Sequence, residues 1–181
     1  MLVKKKATDS RYYTKDSIRE YYEGYMDSLL QNETDTYSIV RINDKFEFYD
    51  FYYKDKINNK VYLIETKIRY KFYNDILLQK KKIDNAKEYY NANKIDGFIV
   101  IYLFMFKSNY RNIKVGSYLI VNLTDYLNGS IDFSRVETKE TESPINGKVV
   151  SEVIIFDYTK YKHKVCDINT CNITNDINEV L

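Results

Sequence analysis

Two acidic residues and one lysine in the first half of the chain have the side chains for metal-assisted chemistry. Asp50 lies in an aromatic-rich segment, and Glu65 and Lys67 lie two residues apart in the sequence VYLIETKI. Carboxylates are ligands that a hard divalent cation such as Mg²⁺ prefers. A cation held there lowers the pKa of a bound water, and a lysine can orient or deprotonate that water or stabilise negative charge on a phosphate. Together the three residue types indicate phosphodiester hydrolysis.

The spacing of these residues predicts how they meet. Strand periodicity places Glu65 and Lys67 on one face of their strand, with Thr66 on the other. Asp50 lies on the preceding strand candidate, and Asn58-Asn59 is a good hairpin turn between the two strands. With that turn centre, opposed residue numbers sum to about 117, whereas 50 and 65 sum to 115. A bulge or a loop adjustment can absorb that difference, so we expect Asp50 near Glu65.

The same pattern has a purely structural alternative. Glu65 and Lys67 would then alternate along the exposed face of an amphipathic strand, with Ile64 and Thr66 pointing inward. The apolar run Val-Tyr-Leu-Ile before Glu65 favours the functional interpretation, because a buried strand holds a site rigidly.

The segment that carries these residues resembles the PD-(D/E)XK nuclease superfamily, which includes restriction endonucleases and archaeal-type Holliday-junction resolvases. Asp50 is followed fifteen residues later by Glu65-Thr-Lys67, and Tyr49 stands where the family usually has proline. The resemblance implies a Mg²⁺-dependent DNA endonuclease, with Mn²⁺ as a possible substitute. In that interpretation Asp50 and Glu65 bind the metal, and Lys67 assists the water and the transition state.

The resemblance also implies a further carboxylate on the first helix. Glu20 and Glu23 are the candidates, and we prefer Glu23 as a catalytic and metal-binding residue, because Met26 and Leu30 follow it at +3 and +7. The alternative is that both glutamates are ordinary solvated helix residues.

A polar residue on the helix after the E-x-K strand is a further feature of the family. Gln79 and Lys82 are three residues apart and would share a helical face, where either could contact the metal-bound water or a phosphate. Lys81, Lys82 and Arg69 are candidate DNA-binding residues that could follow the phosphate backbone. In a lysine-rich chain, however, a solvated helix face is an equally good interpretation of the lysine triplet.

The elements that must position these residues follow from the hydrophobic pattern. The predicted fold class is α/β, with a restriction-endonuclease-like core, a mixed β-sheet flanked by helices in the order αβββαβ, and a C-terminal β-hairpin extension. We expect a core domain over residues 1–130 and an extension over 131–181, with frayed final residues. The predicted elements are helices at 14–31 and 74–91, strands at 37–42, 46–53, 61–68, 98–106, 117–123 and 149–158, and a hairpin over about 134–160.

Composition sets the outer limits. The chain has 181 residues, of which 44% are hydrophobic, and it contains five glycines and one proline. That is enough apolar material for a core, and it excludes disordered and collagen-like classes. The net charge of +2 does not by itself predict a nucleic-acid partner. The longest apolar run, residues 98–106, is too short to span a membrane.

The remaining composition bears on location and origin. No apolar segment follows the basic start, so we expect no secretory signal, and the two cysteines fit a reducing, cytoplasmic compartment. Abundant Lys, Asn, Ile and Tyr indicate an AT-rich genome such as that of a phage, which would allow a virion-associated location. DNA is the expected partner, and a homodimer is an option. The competing hypothesis is a catalytically silent nuclease-fold module with a DNA-binding or virion-structural role.

Overall fold

The computed structural model describes residues 24–30, 32–42, 49–69, 75–108, 112–143, 147–167 and 172–181. The predicted first helix is present where it is described, over residues 24–30. Glu20 and Glu23, the start of that helix and residues 46–48 of the predicted strand 46–53 lie outside the described residues.

The described elements are ten strands, four helices and one 3-10 turn. In chain order they are α1 (24–30), β1 (Asn32–Glu33), β2 (Tyr37–Arg41), β3 (Phe51–Asp55), β4 (Lys60–Arg69), β5 (Asp75–Gln79), α2 (Lys80–Asn91), β6 (Gly97–Ser108), β7 (Asn112–Asn122), α3 (Thr124–Leu127), β8 (Ser134–Ser143), β9 (Gly147–Asp157), a 3-10 turn (Tyr158–Lys160), β10 (Lys162–Asp167) and α4 (Ile173–Val180).

A seven-stranded mixed sheet forms the centre of the fold, in the order β1-β2-β3-β4-β6-β7-β10. The β4 and β6 strands run parallel, and the other described neighbours are antiparallel. The apolar strand β6 lies inside this sheet with both faces covered, which explains its continuous apolar run. The prediction of a mixed α/β fold with a mixed sheet flanked by helices is therefore confirmed.

A second sheet of three strands has the order β5-β9-β8. Its first strand corrects the predicted helix over 74–91, because residues 75–79 are extended and the helix begins at Lys80. Ile76 and Leu78 are buried while their neighbours are not, which is strand periodicity, and the segment pairs antiparallel with β9. The predicted C-terminal hairpin is confirmed as β8 and β9.

The core occupies both faces of the large sheet. One face carries Leu63 and Val100 against α2 and the small sheet, with Phe156 of β9 in the same cluster. The other face carries Ile64 and Ile101 against α1 and α4. Alternate residues of β4 thus face opposite layers, and Glu65 belongs to the same side as Leu63, toward α2.

The last described residues are ordered, so the expectation of a frayed end is wrong for them. The helix α4 buries Ile173, Ile177 and Val180 in the core, and the Asn122 side-chain amide donates to the Val180 carbonyl at 2.9 Å. The domain boundary between residues 130 and 131 remains a prediction. Residues on both sides of it contribute to the same core clusters. None of the helices in the described ranges is long and apolar enough to cross a membrane.

Candidate active site

The hairpin between β3 and β4 sets the register of the candidate site. Asp55 pairs with Lys60, so the connecting loop is residues 56–59 and opposed residue numbers sum to 115. The turn centre predicted at Asn58-Asn59 is wrong by one residue. The reason is local, because the Asp55 carboxylate accepts hydrogen bonds from two loop amides, at 2.9 and 3.0 Å, and so starts the loop directly after itself.

A bulge lies where β3 begins. Phe51 pairs with Ile64, yet the Asp50 amide also donates to the Ile64 carbonyl at 2.9 Å, so two successive residues face one partner. The side chains show the same irregularity. The hydroxyls of Tyr49 and Tyr52 lie 2.7 Å apart, although residues three apart in a regular strand point to opposite faces. The bulge takes Asp50 out of the regular ladder.

The carboxylate of Asp50 is held by the residue between Glu65 and Lys67. Its Oδ2 accepts hydrogen bonds from the backbone N–H and from the Oγ1 of Thr66, both at 2.7 Å. Thr66 continues β4 past the first residue of β3, so its N–H needs an acceptor other than a paired strand. Sequence reasoning gave Thr66 no role. The sequence gives no signal for this role, because the predicted strands 46–53 and 61–68 are equally long and only the structure shows that β4 extends beyond β3.

Glu65 is completely buried, at 0% exposure, and contacts two lysines. Lys82 Nζ of α2 lies 2.6 Å from Oε1 and 2.7 Å from Oε2, so one ammonium bridges both carboxylate oxygens. Lys67 Nζ also contacts Oε1. The side chains of Lys67 and Lys82 keep 29% and 20% exposure, so the cluster is partly open to solvent at its lysines.

The four charges of this cluster balance, with Asp50 and Glu65 against Lys67 and Lys82. Burial by itself lowers the pKa of Lys67, but the charge and hydrogen bond of Glu65, together with the charge of Asp50, raise that pKa above its ordinary 10.5. Lys67 is therefore an ammonium at neutral pH and can donate hydrogen bonds but not accept a proton.

Tyr102 forms a wall beside Lys67. It is the residue of β6 paired with Lys67, its hydroxyl donates to the Leu77 carbonyl at 2.8 Å, and the Leu77 amide donates back at 3.0 Å. These bonds tie the small sheet to the large one next to the site. Arg69, two residues beyond Lys67, places its guanidinium carbon 5.1 Å from the centre of the Tyr102 ring. Sequence reasoning missed Tyr102, which lay in a continuous apolar run.

The other predicted site residues have separate positions. Gln79 ends β5 and directly precedes α2, so the expectation that it shares a helical face with Lys82 is wrong. Lys81 lies at an exposed position of α2. Lys80 forms an i,i+4 ion pair with Asp84 at 2.6 Å. The structure thus brings Asp50, Glu65, Lys67 and Lys82 together and places Arg69 at the rim.

The donor chemistry at this site fits a divalent cation. Two carboxylates supply hard oxygen ligands, and waters complete the coordination that Mg²⁺ requires. Within the described ranges, however, no group of three or more His, Cys, Asp or Glu side chains is close enough to form a metal site by itself. Glu23, the predicted third carboxylate, lies outside the described residues.

Comparisons with known proteins include a structural likeness. No protein-family model and no curated protein matches the chain. Among solved structures, the chain is similar to Hjc, a Holliday junction resolvase from the archaeal hyperthermophile Archaeoglobus fulgidus, with a TM-score of 0.42 and 10% sequence identity. The likeness covers 82% of this chain and 90% of the resolvase. The site is therefore interpreted from its own geometry.

Proposed function

We propose that this chain is a metal-dependent DNA endonuclease of the PD-(D/E)XK type. The observation that carries the proposal is the convergence of Asp50, Glu65 and Lys67 at one place on two neighbouring strands. Glu65 is fully buried, and Thr66 anchors Asp50 through two hydrogen bonds of 2.7 Å. A carboxylate pair fixed in this way, with an ammonium beside it, is preorganised for charge that develops on a phosphate.

In this proposal Asp50 and Glu65 hold Mg²⁺, with Mn²⁺ as a substitute, and Glu23 is a candidate third carboxylate. The bound cation would supply a water of lowered pKa and stabilise charge on the scissile phosphate. Lys67, an ammonium in the metal-free protein, would orient the water and stabilise the phosphate as a hydrogen-bond donor. Gln79 remains a candidate catalytic residue at the start of α2.

DNA is the proposed partner of the rim. Arg69, Lys81 and Lys82 are the candidate backbone contacts, and such contacts would make binding fall steeply with salt. A homodimer would place two sites on two strands of a duplex, and light scattering after size-exclusion chromatography would report it.

A cleavage assay tests the proposal. Wild type, Lys67→Ala and the control Lys54→Ala, which changes an exposed lysine of the same hairpin, are incubated with linear duplex, single strand, four-way junction and RNA in Mg²⁺, Mn²⁺ or EDTA. We expect metal-dependent cutting of DNA by wild type and the control, and its loss in Lys67→Ala. Folded wild type that cuts no substrate with either metal would contradict the proposal.

One observation favours a second candidate, a nuclease-fold module without catalysis. The two lysines already balance the charge of Glu65 without a metal. Thermal unfolding separates the candidates, because a ligand that binds only the folded state raises Tm. The nuclease predicts stabilisation by Mg²⁺ or Mn²⁺ that disappears in Asp50→Ala, whereas the silent module predicts no stabilisation in either protein.

A further inference from the structure

The contact between Lys82 and Glu65 has the geometry of a cation on a bidentate carboxylate. Lys82 Nζ lies 2.6 and 2.7 Å from the two oxygens, so neither oxygen is favoured. Hard divalent cations can bind a carboxylate through both oxygens in the same way. Lys82 therefore occupies the position on Glu65 that a bound cation would take.

Both ammoniums cannot remain in place when a divalent cation enters. The cluster is already neutral, and adding two positive charges would set two carboxylates against four positive charges, with both ammoniums already in contact with Glu65. Lys82 is the group that can leave. Its ammonium spans both oxygens of Glu65, where a cation would bind, and its side chain comes from the separate helix α2, so it can turn away while β4 stays in place.

We propose that Lys82 is a resident counter-ion of Glu65 that a divalent metal displaces. This inference rests on the proposed metal-binding function and adds a role for one residue. In the metal-free protein Lys82 neutralises a buried carboxylate that would be costly to leave unpaired. On metal binding it releases Glu65, and its ammonium turns toward solvent at the rim of the site.

Lysine labelling of the wild-type protein tests the displacement directly. The protein is treated briefly with an amine-acetylating reagent in EDTA, Mg²⁺ or Mn²⁺, and the modification of Lys82 is measured by mass spectrometry relative to Lys80 of the same helix. Tm is measured in parallel to establish that the metal binds. We expect metal to raise Lys82 labelling several-fold and to leave Lys80 unchanged.

The possible results separate the two proposals. Metal that raises Tm while Lys82 labelling stays constant or falls would overturn the counter-ion role and leave the metal site standing. If metal changes neither Tm nor Lys82 labelling, the protein has no metal site here, and the counter-ion role is overturned with it.

A variant gives a second measurement. Lys82→Met removes the competing ammonium, and we expect this variant to bind Mn²⁺ about tenfold more tightly than wild type. A tenfold change in affinity corresponds to the lower end of the free energy of one hydrogen bond to a charged group. Binding is followed by the electron paramagnetic resonance signal of unbound Mn²⁺. The matched control Lys80→Met keeps the wild-type affinity. Equal affinity in Lys82→Met and wild type would contradict the displacement.

Discussion

Replacing Glu65 with glutamine should destabilise the fold, because it removes the shared partner of two ammoniums. Lys67 and Lys82 both contact Oε1, and each contact is no longer than 2.6 Å. The two Nζ atoms therefore lie within about 5.2 Å of each other, where two unit charges repel by about 3 kcal/mol at an effective dielectric constant of 20. An amide accepts a hydrogen bond from one of them but supplies no charge to offset that repulsion.

The lysines keep 29% and 20% side-chain exposure, so they can turn outward in part and limit the loss. Breaking a buried pair by removing one partner costs about 3–5 kcal/mol, so we expect Glu65→Gln to lower the free energy of unfolding by about 3 kcal/mol. For a domain of this size that corresponds to about 6–12 °C in Tm. The protein should remain folded, because native domains are stable by about 5–15 kcal/mol.

Urea denaturation of five proteins measures this value: wild type, Glu65→Gln, Lys82→Met, the double variant of these two, and the control Glu88→Gln. Glu88 is an exposed glutamate of α2, so its variant should differ from wild type by less than about 0.5 kcal/mol. Removing Lys82 as well should recover a part of the loss, since one of the repelling ammoniums is gone. If the Glu65 and Lys82 effects instead add within about 0.5 kcal/mol, the two residues do not interact and the reasoning is refuted.

Two further predictions concern neighbouring contacts. Thr66→Val removes the hydroxyl donor to Asp50 and keeps the backbone donor, so we expect the free energy of unfolding in urea to fall by about 1–2 kcal/mol and cleavage to slow. Thr66→Ser should restore both quantities. An unchanged cleavage rate in Thr66→Val would show that this hydrogen bond does not position the carboxylate. Burial, with nearby charges, raises the pKa of Tyr53 to about 12. An unfolded tyrosine loses its proton near pH 10, so the contribution of Tyr53 is complete below pH 10 and is lost as the pH rises to about 12, at up to about 1.4 kcal/mol per pH unit. The Tyr53→Phe variant should show a shallower loss of stability across that window, and equal slopes would contradict the assignment.

Much of the fold follows from the sequence where one periodicity dominates. The apolar run of β6 predicted a strand buried on both faces, and alternation along β4 predicted that Glu65 and Lys67 share a face. The prediction failed at residues 75–79, which form β5. Ile76, Leu77 and Ile83 fit a helical stripe, but Ile76 and Leu78 also fit a strand, and only the distant partner β9 decides between the two.

The chain's end shows the same limit. The sequence from Asn172 onward is polar enough to resemble a frayed tail, yet α4 buries three aliphatic side chains against the large sheet. Its first turn is fixed by the Asn172 side chain, which accepts hydrogen bonds from the amides of Thr174 and Asn175. That cap is visible in the sequence, whereas the apolar face it serves becomes evident only once the opposing sheet is known.

The placement of Asp50 explains why a site of this kind is only half predictable. Residue type and spacing predicted that Asp50 and Glu65 approach each other, but a regular ladder would have put Asp50 in a strand pair. The bulge instead removes Asp50 from the ladder, and its carboxylate accepts a hydrogen bond from the Thr66 amide, which has no partner in β3. The same irregularity therefore satisfies a backbone group and orients the proposed metal ligand. The Thr66 variants distinguish these two effects, because a serine restores the hydroxyl and a valine keeps only the backbone bond.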